Sequence, residues 1–189
     1  MFKVGEVDVK GLKQFDNLLG ALGEKPAREV INRALNRTGD MARTKVVREL
    51  SKQTGLPQKT IRKAVKVDRS SWQDLEYRLT ASGGNVSLKY FKARETLRGV
   101  TANVRGKREL FEGSFIKGGS FDRGRVVAQG LNGHVFQRIG GRTELEKLKS
   151  GVFIPIEMVE GATAKAFDDV VSNVLPRRLD HEINRLIKA

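Results

Sequence analysis

Two histidines, His134 and His181, are the side chains best suited to proton transfer near neutral pH, but neither has a carboxylate or second histidine at metal-ligand spacing. Cysteine is absent. That removes thiolate nucleophiles, thiolate metal sites and disulfides, and it fits folding in a reducing compartment. The glycine-rich stretch from Gly113 to Gly124 lacks the Lys-Ser/Thr ending and the strand-loop-helix setting of a nucleotide loop. Gly106-Lys107 fails the same test because Arg108 follows. Acidic residues are scattered among bases, with no pair set in an apolar neighbourhood that would raise a carboxyl pKa for acid or base work. The expectation is a protein that is not an enzyme and holds no metal or cofactor.

Charge is the stronger signal. Lys and Arg total 36 against 22 acidic residues, giving a formal charge of +14 over 189 residues. Such an excess attracts nucleic acid, anionic membrane or acidic protein surface, or else is a solvated basic face. The densest segment holds Lys89, Lys92, Arg94, Arg98, Arg105, Lys107 and Arg108, with Glu95 opposing. On strands and their turns these residues can share an edge, either as a nucleic-acid or acidic-partner contact or as a sheet edge blunted by charge. A separate local pattern from Leu50 to Val65 has the small residue, turn glycine and β-branched position of a helix-turn-helix. Read that way, Gln58, Lys59 and Arg62 would face bases in a major groove, making a sequence-specific DNA-binding protein the alternative function. A plain helical corner is the competing reading.

Valines at 7 and 9 alternate, and Leu12, Phe15, Leu18, Leu19 and Leu22 then take helical spacing, so a short strand and a helix are expected before Gly23. From Glu24 to Lys52, the residues Ala27, Val30, Ile31, Ala34, Leu35, Met41, Ala42, Val46 and Leu50 mark one buried stripe of a long helix. Thr38 and Gly39 leave room on it for a closely packed neighbour. Gly55 ends this helix and Pro57 opens a short one through Ile61, Ala64 and Val65.

The middle of the chain changes period. Leu75, Tyr77 and Leu79 alternate, Ser82 to Asn85 offers a turn, and Val86, Leu88 and Tyr90 alternate again, a hairpin pattern. Further strands are expected at 100–104, 110–116, 125–128 and 134–139, separated by glycine-bearing turns. After Gly161 helical spacing returns, and the stripe passes Pro176 in phase, predicting one kinked helix or two abutting ones. Its last part carries Leu179, Ile183, Leu186 and Ile187, either as core or as a subunit-docking face. No stretch approaches the roughly 20 apolar residues that span a bilayer, so no membrane partner is expected. The layout predicts one α+β domain over 1–189: a mainly helical part (1–70), a central antiparallel sheet (71–160) and a C-terminal kinked helix (161–189) packed on one sheet face.

Several blocks carry a resemblance. Arg33-Ala34-Leu35-Asn36-Arg37-Thr38-Gly39, continuing into Arg48-Glu49-Leu50 and Thr54-Gly55-Leu56, is similar to the N-terminal helical part of prophage minor tail protein Z sequences. The blocks Ser87-Leu88-Lys89-Tyr90-Phe91 with Ala93-Arg94, Gly99-Val100-Thr101-Ala102, Gly113-Ser114-Phe115-Ile116 and Gly133-His134-Val135-Phe136-Gln137-Arg138 follow in the family's order. The resemblance spans roughly residues 28 to 175. It departs where the family usually has a Leu-Pro-Ile strand and a Leu-Tyr-Gly-Pro-Ser-Val-Pro turn, because Glu144 to Pro155 stand there instead.

The resemblance implies a structural, non-enzymatic tail completion protein, built in at the head-proximal end of a tailed-phage tail where it joins the head. By the same implication the protein would sit near the DNA channel in the virion's tail or neck, after a passage through the host cytoplasm during assembly. Partners would be tail terminator, tube, tape-measure or connector proteins, copies of the chain in a homo-oligomeric ring, and genomic DNA touched without reading sequence. No cofactor is implied.

Overall fold

The computed structural model describes residues 2–3, 20, 23–141 and 143–188. The strand expected at Val7 and Val9, and the helix expected to carry Leu12, Phe15, Leu18, Leu19 and Leu22, lie outside them. Helix α1 runs over Glu24–Thr54 and buries Ala27, Val30, Ala34, Leu35, Thr38, Gly39, Ala42, Val46, Val47, Leu50 and Thr54. Three- and four-residue spacing puts these on one stripe, as the sequence predicts. Two members of the predicted stripe depart from it, Ile31 being partly buried and Met41 39% exposed, while Val47 is buried in addition. Gly55 stops the helix in the left-handed conformation (φ 81°), its N–H donating to the Ser51 carbonyl at 3.0 Å.

Helix α2, Gln58–Ala64, follows and passes directly into strand β2, Val65–Asp68. The remaining strands are β1 Phe2–Lys3, β3 Arg78–Ala81, β4 Asn85–Ser87, β5 Arg94–Thr96, β6 Gly99–Val104, β7 Lys107–Glu112, β8 Ser114–Phe115, β9 Phe136–Arg138, β10 Leu145–Lys147 and β11 Lys149–Phe153. Helices α3, Ile154–Met158, and α4, Gly161–Ile187, close the chain.

The α+β class holds, with the sheet portion divided into four small antiparallel sheets, ordered β1-β3-β2, β5-β6-β7, β10-β9-β8 and β11-β4. The expected hairpin across Ser82 to Asn85 does not form: β3 lies between β1 and β2, whereas β4 pairs with β11. Local bonds send the chain from one sheet to the other. The Ser82 N–H donates to the Ala64 carbonyl, and the Asn85 side-chain oxygen accepts from the Gly151 N–H at 2.8 Å. Leu88 and Tyr90 fall in a 3-10 turn, Leu88–Tyr90. The strand expected over 110–116 is cut at Gly113 (φ 66°) into β7 and β8, and that expected over 125–128 is reduced to one bridge between Gly118 and Val126.

Helix α4 continues unbroken through Pro176, which leaves the Ser172 carbonyl without its usual helical donor. Its principal neighbour is α1. Gln53 accepts from Thr163 near one end and Arg33 approaches Glu182 at 3.9 Å near the other, so the two helices run antiparallel. A contiguous apolar cluster joins Leu35, Val46 and Leu50 of α1 to Leu79, Val100, Val152 and, on α4, Phe167, Val171 and Leu175. Burial of each such side chain contributes about 1.5–3 kcal/mol.

One contact sets the position of α1 against the sheets. Tyr77 is fully buried with its ring directly over Gly39, where an added Cβ would lie 2.4 Å from ring carbons. The Tyr77 hydroxyl donates to Asp40 Oδ1 at 3.0 Å, and Arg69 donates to both oxygens of the same carboxylate. Burial, and then the bond to Asp40, push the Tyr77 phenol well above its ordinary pKa, so it stays protonated and donating. The room that the sequence leaves at Thr38 and Gly39 is filled in this way.

Gly39→Ala tests the contact by sign. In an exposed helix the change stabilises by about 1 kcal/mol. Here the methyl meets the ring, and overpacking of about 1–3 kcal/mol should outweigh that gain. Urea denaturation should therefore show a lowered midpoint, and a raised midpoint would place the ring elsewhere.

Candidate interaction surface

The predicted basic residues map largely onto the β5-β6-β7 meander. Along β6, Val100, Ala102 and Val104 are buried while Thr101 and Asn103 are half-buried, so the two sets occupy opposite faces. Register places Arg94 of β5 and Leu110 of β7 opposite Thr101, and Arg108 of β7 opposite Asn103. Arg94 and Arg108 are thus brought to the same outward face. The Arg108 guanidinium donates to Thr101 Oγ1 at 3.3 Å, which lays it flat along the sheet.

Arg98 lies in the β5–β6 turn and Lys107 begins β7 beyond the opposite turn, so the cations are spread over the length of a six-residue strand, about 20 Å. Lys92, at φ 51°, precedes β5. Among the described residues no ion pair engages Lys92, Arg94, Arg98, Lys107 or Arg108, and all five are exposed. Glu95, the acid between them in sequence, is paired with Arg125 and accepts from the Ile116 N–H. Its charge is spent away from the exposed face. Glu112 of β7 shares the outward face with Arg108, whereas Glu109, opposite Ala102, lies on the other face; both are exposed. Leu97 in the β5–β6 turn is 79% exposed and gives the patch an apolar tip.

Two of the seven basic residues are committed within the chain. The Lys89 ammonium donates to the Asn132 carbonyl. Arg105 holds a corner together: its N–H donates to the Thr54 carbonyl at 2.9 Å, and its guanidinium donates twice to Glu157 Oε1, at 3.0 and 2.8 Å. Glu157 also accepts from the Gln53 amide, whose oxygen accepts from Thr163 at the start of α4. The β6–β7 turn, the end of α1, α3 and the start of α4 therefore meet in one polar knot. A Cβ at Gly55 would sit 2.7 Å from the Asn103 carbonyl, so glycine is needed for this approach as well as for the helix end. Sequence spacing gave no signal of a pair 52 residues apart.

At the 50–65 corner, Gln58, Lys59 and Arg62 are exposed, and Arg62 donates to Gln58 at 3.1 Å. Helix α2 has seven residues, about two turns, and its C-terminal end is fixed to β2. On the last part of α4, Ile183 is 5% exposed and Leu179 packs against the core, while Leu186 is half-buried and Ile187 is 61% exposed. The stripe that could have been a docking face is mostly turned inward.

Among the described residues no group of three or more His, Cys, Asp or Glu side chains is placed to hold a metal ion, and no helix is long and apolar enough to cross a membrane. His181 is exposed on α4.

The knot and the exposed cations beside it separate by mutation. Arg105→Ala removes a partner from a mostly buried Glu157 carboxylate and should lower stability by roughly 1 kcal/mol. The pair Lys107→Ala and Arg108→Ala should stay within about 0.5 kcal/mol of the parent. Chemical denaturation of the three proteins measures the difference, and equal losses would contradict the assignment.

The profile of the family described as prophage minor tail protein Z (GPZ) matches residues 9–189, extending beyond the blocks that carry the resemblance at both ends. No curated protein and no solved structure matches the chain. With the match covering nearly the whole chain, this protein belongs to the prophage minor tail protein Z family, and so is a structural protein of a phage tail.

Proposed function

We propose that this protein is a tail completion protein, a non-enzymatic subunit folded as a single domain and built into the head-proximal end of the tail, where the tail joins the filled head. Copies arranged in a ring about the tail axis contact their tail or neck neighbours, and the outward face of the β5-β6-β7 meander is turned toward the genome's path. The observation that carries this reading is the set of exposed cations at Lys92, Arg94, Arg98, Lys107 and Arg108, none in an ion pair among the described residues, with Arg94 and Arg108 on one outward face, on a chain of net charge +14.

Physically, Lys and Arg repeated round an axis attract phosphates without reading bases, which allows DNA to slide. Base-specific contacts would hinder that passage. The same cations repel neighbouring copies, so ring formation is favoured where DNA or acidic tail proteins supply counter-charge. Assembly takes place in the host cytoplasm, and the finished protein resides in the tail or neck of the virion.

Complementation tests this placement. A phage lacking the gene should make filled heads and tails that fail to join, and the wild-type gene supplied in trans should restore infectivity. A version carrying Arg94→Glu, Arg98→Glu, Lys107→Glu and Arg108→Glu should fold yet lower titre by orders of magnitude. Normal joining in the deletion, or full titre with the charge-reversed version, would overturn the corresponding part of the proposal.

A further inference from the structure

A cleft of about 790 Å³ opens on another part of the surface, between α2, the 82–87 segment and β10. Its wall carries Lys59 and Lys63 from α2, one helical turn apart, together with Lys147 from β10 and His134. Among the described residues no aspartate or glutamate lines it. Cations drawn from separate elements face one depression, although each repels the others.

The interior is polarised to donate. Ser87 Oγ lies 2.9 Å from His134 Nδ1, and Lys147 Nζ lies 3.2 Å from His134 Nε2. An ammonium can only donate, so Nε2 accepts and the ring proton sits on Nδ1, directed to Ser87. Burial, then Lys147, then Lys89 depress the His134 pKa below its ordinary value, so the ring is neutral at pH 7. Lys147 thus rests on a neutral acceptor where a carboxylate would serve it better. Beside the cations, Tyr90 is 44% exposed and Val86 is half-buried.

The mixed lining favours one polyanion. A duplex backbone offers phosphates to the lysines but nothing apolar to Tyr90 and Val86. An extended peptide places alternate side chains on opposite sides, about 7 Å apart along one side, and can offer carboxylates to the lysines and apolar groups to Tyr90.

We propose that this cleft docks an acidic, extended peptide segment of a neighbouring protein, with its carboxylates on Lys59, Lys63 and Lys147 and its apolar side chains against Tyr90 and Val86. The docking does not depend on where in the tail the protein sits or on whether the meander touches DNA. His134 adds a pH dependence. Among the described residues, Lys147 and Lys89 act on it directly, and Lys59, Lys63 and Tyr90 line the same cleft. An arriving carboxylate reverses that balance, raises the His134 pKa and draws in a proton. Affinity therefore increases as pH falls through the interval between the bound and the free pKa of His134, as long as the peptide glutamates stay ionised.

The test uses the full chain and a labelled peptide alternating glutamate with leucine, followed by fluorescence anisotropy, against the same peptide with glutamine for glutamate and against random duplex DNA. Lys59→Glu, Lys63→Glu and Lys147→Glu together should weaken the acidic peptide by more than about tenfold. A control with the same charge change on exposed helix positions, Lys25→Glu, Lys45→Glu and Lys165→Glu, should lose less than about threefold through the general field. NMR titration of His134 should show its pKa raised on adding the acidic peptide. Equal losses in the two variants would reduce the effect to net charge and overturn the proposal. So would a His134 pKa that ignores the peptide, or duplex DNA binding that depends on the cleft lysines while the acidic peptide does not bind.

Discussion

The close approach of the Tyr77 ring to Gly39 fixes the rest of the structure. Only a residue without a Cβ lets the buried ring lie against the α1 backbone, and Asp40, next along the helix, secures the hydroxyl while Arg69 supplies the balancing charge. Because α1 is long and stiff, placing its middle also places its end. There Gly55, the Arg105 N–H and the Glu157 carboxylate bind the β6–β7 turn to the α1–α4 pair. The basic face of the meander is thus carried on a braced turn.

Charge is distributed in a consistent way over this frame. Three acids are held by arginines that join separate elements: Asp40 by Arg69, Glu95 by Arg125 and Glu157 by Arg105. Many cations are left facing outward or into the cleft behind α2. Each such pair is neutral, so the net charge of +14 is carried by the cations outside these pairs. For a subunit working inside a large particle, such a surface is a reason to assemble only where counter-charge is present.

Much of this was legible in the sequence because helical periodicity over long stretches is hard to mimic. The stripes of α1 and α4, the stop at Gly55 and the room at Gly39 all follow from local chemistry. The pairing of strands was not legible. Ser82 to Asn85 reads as a hairpin turn, yet bonds to Ala64 and Gly151, both distant in sequence, send β3 and β4 into different sheets. Val65 to Asp68 had the alternation of a strand and lay hidden at the end of a helix pattern. For the candidate surface, the exposed cations of 92–108 were visible as a charge run, whereas the diversion of Arg105 to Glu157, and the meeting of Lys59, Lys63 and Lys147, required tertiary contacts.

The central claim is that this chain works by being built into the head-proximal end of a tail. Electron cryomicroscopy of purified phage particles, combined with mass spectrometry of the same preparation, tests it most directly. The account predicts this polypeptide in the particles, with density for its paired α1 and α4 helices repeated around the channel beneath the head. Particles that lack the polypeptide, or that carry it only at the distal tip, would contradict the account.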